Sequence, residues 1–356
     1  MSSPSKERFF DSLHGFIHVS PEEKKLLEHP AFNRLHYLHQ LGLAYLVYPG
    51  ATHSRFEHTL GVMHLATKIY DQLFEKTNFF HRQALRLGAL CHDLGHLPFS
   101  HTAENLLLGE YGHEKKSVEL ILWLKKEKVF ESFEKVYPDL IKLVIKIAVS
   151  PHVYNSYFPQ DCYTDEELVL ASIVSGDYFG SDRIDYLTRD SRSTGLSLGL
   201  CDFAQLIEML AIVPIEQKPV IVLKEEGLLA AEGLLMARHY MQQRVYKYPA
   251  VLSYNEALKQ FLVKTNLLDF KNMGPAKYIH YTDAWLTQEF LQASYSPSSP
   301  GFLEALILTK KGEKQPAVKF IRSKQTALIP LIVLKKNQTL ESLVPVDIDK
   351  GLFSQI

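Results

Sequence analysis

From residue 20 to about residue 290 the apolar positions recur mainly at helical spacing. Ser20-Pro21-Glu22-Glu23 reads as a helix start, with a serine cap, proline at the first position and acids in the first turn. A second start near Ser54 places His58, Val62, Leu65 and Ile69 on roughly one face. A helix from about His81 carries Leu85, Leu87, Ala89 and Leu90 and runs into Cys91-His92-Asp93-Leu94-Gly95-His96. Gly95 there is a residue able to end the helix in a left-handed conformation. Further helices are predicted over 114–126, 137–149, 165–175, 203–210, 224–248 and 253–262. Residues 11–19 read as a turn and short strand pair, and 220–223 as a strand inside the helical part. The Ser- and Pro-rich stretch 294–301 reads as a linker. Beyond it, 303–308, 317–321 and 328–334 are short β-branched or apolar runs. The pattern predicts a mainly α protein with a small strand-rich tail, divided as 1–20, 21–293 and 294–356, without internal repeats.

Composition narrows the picture little. At 356 residues, 46% hydrophobic and 22% charged, the chain fits one large soluble globular domain or a large one with a small companion. A formal net charge of −1 calls for neither nucleic acid nor an anionic membrane. Three scattered cysteines (Cys91, Cys162, Cys201) make no disulfide framework or zinc ribbon and read as reduced thiols. With no basic-then-apolar leader and no apolar run approaching the ~20 residues of a membrane span, the expectation is a cytoplasmic protein. Sixteen histidines are many for this length, and they cluster.

The cluster carries the chemistry. His92-Asp93 stands at the end of an apolar helix, where an unpaired carboxylate is costly. The ordinary explanation is a hydrogen-bonded polar pair in the core; the alternative is a divalent metal, which needs further ligands. His58 and Asp182, the latter in Gly180-Ser181-Asp182-Arg183-Ile184-Asp185-Tyr186, could supply them. Two imidazoles with two carboxylates suit Mn, Fe, Ni, Co or Zn, with Mg left to substrate phosphates. Open coordination positions would suit metal-assisted hydrolysis of a phosphoester. His96, His101 and His113 follow closely. His101 and Glu104 share a face if that stretch is helical, and the carboxylate would then orient the imidazole and raise its pKa for acid–base work. Arg55, Arg183, Arg238 and Arg244 are candidate phosphate clamps, each alone as easily a surface arginine. There is no Walker-type loop and no Gly-x-Ser-x-Gly elbow.

With these residues in hand, the chain resembles the HD-domain metal phosphohydrolases, and within them the deoxynucleoside triphosphate triphosphohydrolases. The likeness runs through Asp11-Ser12-Leu13-His14-Gly15, His29-Pro30-Ala31-Phe32-Asn33-Arg34-Leu35, Gln40-Leu41-Gly42 and Tyr48-Pro49-Gly50-Ala51-Thr52-His53-Ser54-Arg55-Phe56-Glu57-His58. It continues through the block from His92 to His101, Gly112-His113-Glu114 and the block from Asp182 to Asp190, and thins after about residue 265. The resemblance implies an HD-type helical bundle with His58, His92, Asp93 and Asp182 as metal ligands. It implies a reaction centre lined by His96, His101 and His113, with Glu104 supporting His101 and His113 a candidate proton donor. Arg55, Arg183 and Arg238 match triphosphate positions, Gln40 and Asp190 sugar 3′-hydroxyl positions, Tyr186 the deoxyribose and Tyr246 the base. Arg183 stands where relatives often carry Lys, which keeps charge and changes geometry. Where activated members read a guanine nucleotide, this chain has Glu28, Asn33 and His36, the last in place of an arginine.

The implied reaction is water attack at the α-phosphorus of a dNTP, releasing deoxynucleoside and inorganic triphosphate, in a homo-oligomeric enzyme (dimer or tetramer). Two other readings stay open. One is an HD-type phosphatase or phosphodiesterase on another nucleotide or phosphoester, since one fold hosts several such reactions. The other is a regulator that binds nucleotides or single-stranded nucleic acid with little turnover, which the near-neutral charge disfavours.

Overall fold

The computed structural model describes residues 7–102, 104–110, 112–265, 269–294, 331–335, 339–345 and 353–355. Strands expected at 303–308 and 317–321, and all but the first residue of the expected linker, lie outside these.

The fold is mainly α. Glu7–Asp11 (β1) pairs antiparallel with Gly15–Val19 (β2), and the chain enters the helical body through Pro21–Leu27. That helix is fixed by a reciprocal capping box: Ser20 Oγ accepts from the Glu23 amide and the Glu23 carboxylate from the Ser20 amide. The Arg55–Leu73 helix, capped by Ser54, is buried along most of its length. It packs against Phe79–Cys91 and Ser181–Thr194; Phe79–Cys91 in turn packs on Leu140–Ala148. The largest apolar cluster lies between these helices, with Leu65, Leu87, Leu90, Val144 and Leu187 all at 0% exposure. The candidate ligands therefore sit on the ends and faces of core helices, where neighbouring packing fixes them.

Several elements differ from expectation. The helix expected over 203–210 stops at Glu208, and Leu210–Ile215 (β3) forms a hairpin with Lys218–Lys224 (β4), which contains the strand expected over 220–223. The helix expected over 224–248 divides into a 3-10 turn (Glu225–Gly227), an α-helix (Leu228–Met241) and a π-helical turn (Gln242–Tyr246). Leu331–Leu334 (β5) joins β4 in parallel, and Leu340–Pro345 (β6) and Phe353–Gln355 (β7) extend the same sheet, in the order β3-β4-β5-β6-β7. Gly95 does not take up a left-handed backbone. Its small size serves close approach instead: a Cβ there would lie 2.0 Å from the His113 carbonyl oxygen and 2.5 Å from the Ser117 amide. Among the described residues no helix is long and apolar enough to cross a membrane.

Candidate active site

His58 lies near the start of Arg55–Leu73, His92 and Asp93 just past Phe79–Cys91, and Asp182 at the start of Ser181–Thr194. Their polar atoms converge. His58 Nε2 lies 3.0 Å from Asp182 Oδ1 and 3.7 Å from Asp93 Oδ2. His92 Nε2 lies 3.3 Å from Asp93 Oδ1 and 3.7 Å from Asp182 Oδ1. The ring Nδ1 of His92 is 2.7 Å from the Ala89 carbonyl, which can only accept, so Nδ1 carries the proton and Nε2 presents a lone pair. That nitrogen is buried without a hydrogen-bond partner and faces carboxylate oxygens. Three acceptors pointed at one another repel unless a cation lies between them, so this donor set fits a divalent transition metal.

A buried shell behind His58 points the same way. Asp185 accepts from His58 Nδ1 (2.9 Å), His14 Nε2 (2.7 Å) and Arg189 Nε and Nη2 (2.8 and 3.0 Å), and Arg189 Nη1 reaches Asp11 Oδ2 (2.8 Å). Burial would lower the His58 pKa, but hydrogen bonds to Asp182 and Asp185 outweigh it and push the pKa up to about 10. The field that would hold a proton there would equally hold a metal cation. Gly61 makes room for this arrangement, because a Cβ would lie 2.0 Å from Asp185 Oδ1.

A second cluster adjoins the first. His96 Nε2 lies 3.2 Å from Asp93 Oδ1, and its ring stacks on His113 with centroids 3.9 Å apart. Glu104 bridges His101 Nδ1 and His113 Nδ1 at 2.5 Å each. Burial works against the Glu104 carboxylate, yet these two hydrogen bonds hold its pKa far below the usual range. His101 is 67% exposed at its side chain, so it is the member of this cluster open to solvent. The spacing of His101 and Glu104 brings them together at the junction of a 3-10 turn (Ser100–Thr102) and the short helix Glu104–Leu108. Arg55 is 2% exposed; Nη1 reaches Asp93 Oδ2 at 2.5 Å and Nε reaches Ser100 Oγ at 2.8 Å.

Arg183, Tyr186 and Arg238 lie close enough together to act on one another electrostatically. The Arg183 cation works against the burial that raises the Tyr186 pKa, and after burial it works to lower the pKa of Arg238. Arg183 Nε and Nη1 are buried without hydrogen-bond partners. The Tyr186 and Tyr246 rings meet edge to face at 6.2 Å. Tyr246 Oη donates to Asp190 Oδ2 (2.8 Å), and His53 Nε2 lies 2.7 Å from Asp190 Oδ1. Gln40 joins this group through its backbone N–H, which donates to the His53 carbonyl, and its side-chain Oε1 is buried without a partner. Arg244 stands apart with an exposed side chain, its carbonyl accepting from Tyr48. Glu28, Asn33 and His36 are exposed, and His36 stacks on Phe56 at 3.7 Å.

Reading ligands from the sequence did not single out Asp185, Arg189, Asp11, His14 or His53. Their signal was present: all five lie inside matched blocks yet had no assigned task.

The HD domain family pattern matches residues 55–152. A hypothetical protein from Aquifex aeolicus, known from a crystal structure, superposes with a TM-score of 0.73 at 30% identity, covering 95% of this chain and 90% of its own. An uncharacterised protein of Methanocaldococcus jannaschii is 33% identical over 267 residues, 74% of this chain and 51% of that protein. The deoxynucleoside triphosphate triphosphohydrolase SAMHD1 of Gallus gallus is 33% identical over 220 residues, 56% of this chain and 36% of its own length. The chain thus spans about half, or less, of the length of these curated relatives. The family pattern spans His58, His92 and Asp93 and ends before Asp182, and the likeness to the Aquifex structure extends over nearly the whole fold; the chain belongs to the HD-domain family of phosphohydrolases.

Proposed function

We propose that the protein hydrolyses deoxynucleoside triphosphates to deoxynucleoside and inorganic triphosphate. The observation that carries this reading is the Arg183 guanidinium, two of whose nitrogens are buried unpaired beside Arg238 and the converging ligand set. Two adjacent cations with no carboxylate in ion-pair contact among the described residues are a site for a polyanion. At the other end, Asp190, Tyr246 and Gln40 offer hydrogen-bonding groups for a sugar hydroxyl, and Tyr186 offers an apolar face for deoxyribose.

A divalent metal held by His58, His92, Asp93 and Asp182 would polarise a phosphoryl oxygen and make the α-phosphorus more electrophilic. Arg183 and Arg238 would grip the triphosphate and orient the α-phosphorus for in-line attack by water. As the bond from the α-phosphorus to the 5′ oxygen breaks, His113 would deliver a proton to that oxygen. Glu104 would keep both His113 and His101 aligned for proton transfer. The water oxygen remains on the triphosphate, and the deoxynucleoside leaves with the 5′ hydroxyl restored. The reading includes a homo-oligomeric state, dimer or tetramer, which sedimentation velocity measures.

The test is incubation of the purified protein with Mn²⁺ and each of the four dNTPs in ¹⁸O-labelled water. The expected products are unlabelled deoxynucleoside and singly labelled triphosphate. Orthophosphate, pyrophosphate or a nucleoside monophosphate as the main product, or no turnover with any dNTP, overturns the assignment and favours another phosphoester.

A further inference from the structure

The turn that carries His96 and leads into His101 is gripped from a distant part of the chain. Tyr278 Oη donates to the Gly95 carbonyl at 2.6 Å. Arg34, 3% exposed, donates Nη1 to Leu94 O (3.4 Å), Nη2 to His96 O (2.7 Å) and Nε to Tyr281 O (2.8 Å), tying the turn to residues 278–283. Asp283, 2% exposed, accepts the Phe99 amide on Oδ1 and the His39 amide on Oδ2, both at 2.7 Å.

The Asp283 contact falls where the backbone is least comfortable. Phe99 and Ser100 have φ of +54° and +55°, left-handed values that residues with a Cβ disfavour and that need outside support. What the turn achieves is chemical. Ser100 Oγ accepts from Arg55 Nε at 2.8 Å and donates to the His39 carbonyl at 3.1 Å. Arg55 is thereby held on Asp93, and the next residue along is His101. Asp283 grips both Phe99 and His39, and so closes a ring of contacts from the start of the Asp283–Ser294 helix to a candidate metal ligand.

We infer that Asp283 is a positioning residue of the reaction centre. It touches no reacting group; it holds the Phe99–Ser100 backbone in its left-handed form, and this fixes Arg55 against Asp93 and aims His101. The kinetic part of the inference rests on the hydrolase reading above.

The experiment compares Asp283→Ala and Asp283→Asn in the full-length, Mn²⁺-loaded protein. Asp283→Ala is expected to keep the wild-type metal content and KM while kcat falls about 10²-fold, the scale of an ångström-sized misplacement. Asp283→Asn keeps one accepting oxygen and is expected to lose less, about tenfold. Amide exchange at Phe99 and Ser100 should accelerate ahead of the rest of the protein. Adding Phe99→Gly to Asp283→Ala should restore part of kcat, because glycine takes up positive φ freely, while the melting temperature falls further with the lost ring. A merely structural role predicts that rate and melting temperature fall together in that double variant, and such a result overturns the inference. So does wild-type kcat per metal-loaded molecule in either single variant, or unchanged exchange at 99–100. If the wild type is inert toward every dNTP, the substrate assignment fails while this inference is still decided by exchange and by turnover of bis(p-nitrophenyl) phosphate.

Discussion

Replacing Asp185 with Asn tests whether the buried shell behind His58 governs metal binding. The carboxylate takes four hydrogen bonds, from His14, His58 and both Nε and Nη2 of Arg189, and is itself 0% exposed. An amide of the same shape offers one accepting oxygen and turns an NH₂ toward donors, so at least one pair becomes donor against donor. Removing one partner of a buried ion pair costs about 3–5 kcal/mol, and the lower end applies because Asp11 still pairs with Arg189. The second cost is functional. A ligating imidazole that loses the group fixing its tautomer typically costs about 10–100-fold in metal affinity, or about 1.4–2.7 kcal/mol. The assay is a chelator-competition titration of metal-stripped protein with Mn²⁺, together with melting curves of stripped and loaded samples. The stripped variant should melt lower than the stripped wild type, and saturating metal should raise its melting temperature by less than it raises the wild type's. An Mn²⁺ affinity within about threefold of wild type, alongside a lower melting temperature, would refute the coupling to the metal and leave Asp185 a core ion-pair partner alone.

Three further outcomes are expected. His101→Ala should retain metal and lose about 10²–10⁴-fold in kcat, the usual worth of a positioned acid or base; an unchanged rate removes His101 from the chemistry. Glu23, 1% exposed and clamped by Arg86 at 2.6 and 2.7 Å, has a pKa below its ordinary 4.5, because Arg86 and the Ser20 amide outweigh the burial that would raise it. A depressed carboxylate contributes stability that is present above pH 4.5 and fades as pH falls toward its folded-state value, so Glu23→Gln should flatten that acid limb of the melting-temperature profile. Gly95→Ala should destabilise by about 3 kcal/mol or more, since its methyl would meet backbone that a rotamer change cannot move, and calorimetry showing less than about 1 kcal/mol would contradict that geometry.

What the sequence made legible followed from local chemistry. The Ser20 and Ser54 caps, and the apolar helix running into His92-Asp93, are marked by neighbours within a few residues, and the structure has helices at those places. The strand over 220–223 was legible and lies within β4, but the hairpin pairing it with β3 was hidden for a physical reason. Its two turn residues, Glu216 and Gln217, take φ of +48° and +68° without the Gly or Asn that signals such a turn, and Pro214 lies within β3. The division of residues 225–246 was equally invisible, because apolar periodicity does not report where a helix tightens to 3-10 or widens to π. The widening matters, since its last residue is Tyr246, whose hydroxyl reaches Asp190.

The candidate site shows a sharper division. Ligating atoms leave a signal because a carboxylate or imidazole in an apolar context demands an explanation where it stands. Supporting residues leave little, because apart from the local Asp185–Arg189 pair, four positions apart, their partners are remote: Asp185 meets His14 across 171 positions and Asp283 meets Phe99 across 184. Spacing and periodicity are blind to such pairs. Yet Asp11, His14 and Arg189 stood in blocks that matched a known pattern while the ligand set gave them nothing to do, and in the fold they form one network around Asp185. A polar residue inside a matched block with no assigned ligand role is thus a candidate for the layer that orients the ligands. By that argument, Arg34 belongs with Asp283 in supporting the turn from Leu94 to Ser100. It lies in a matched block, its guanidinium is buried, and all three of its hydrogen bonds go to backbone carbonyls of that turn and of Tyr281.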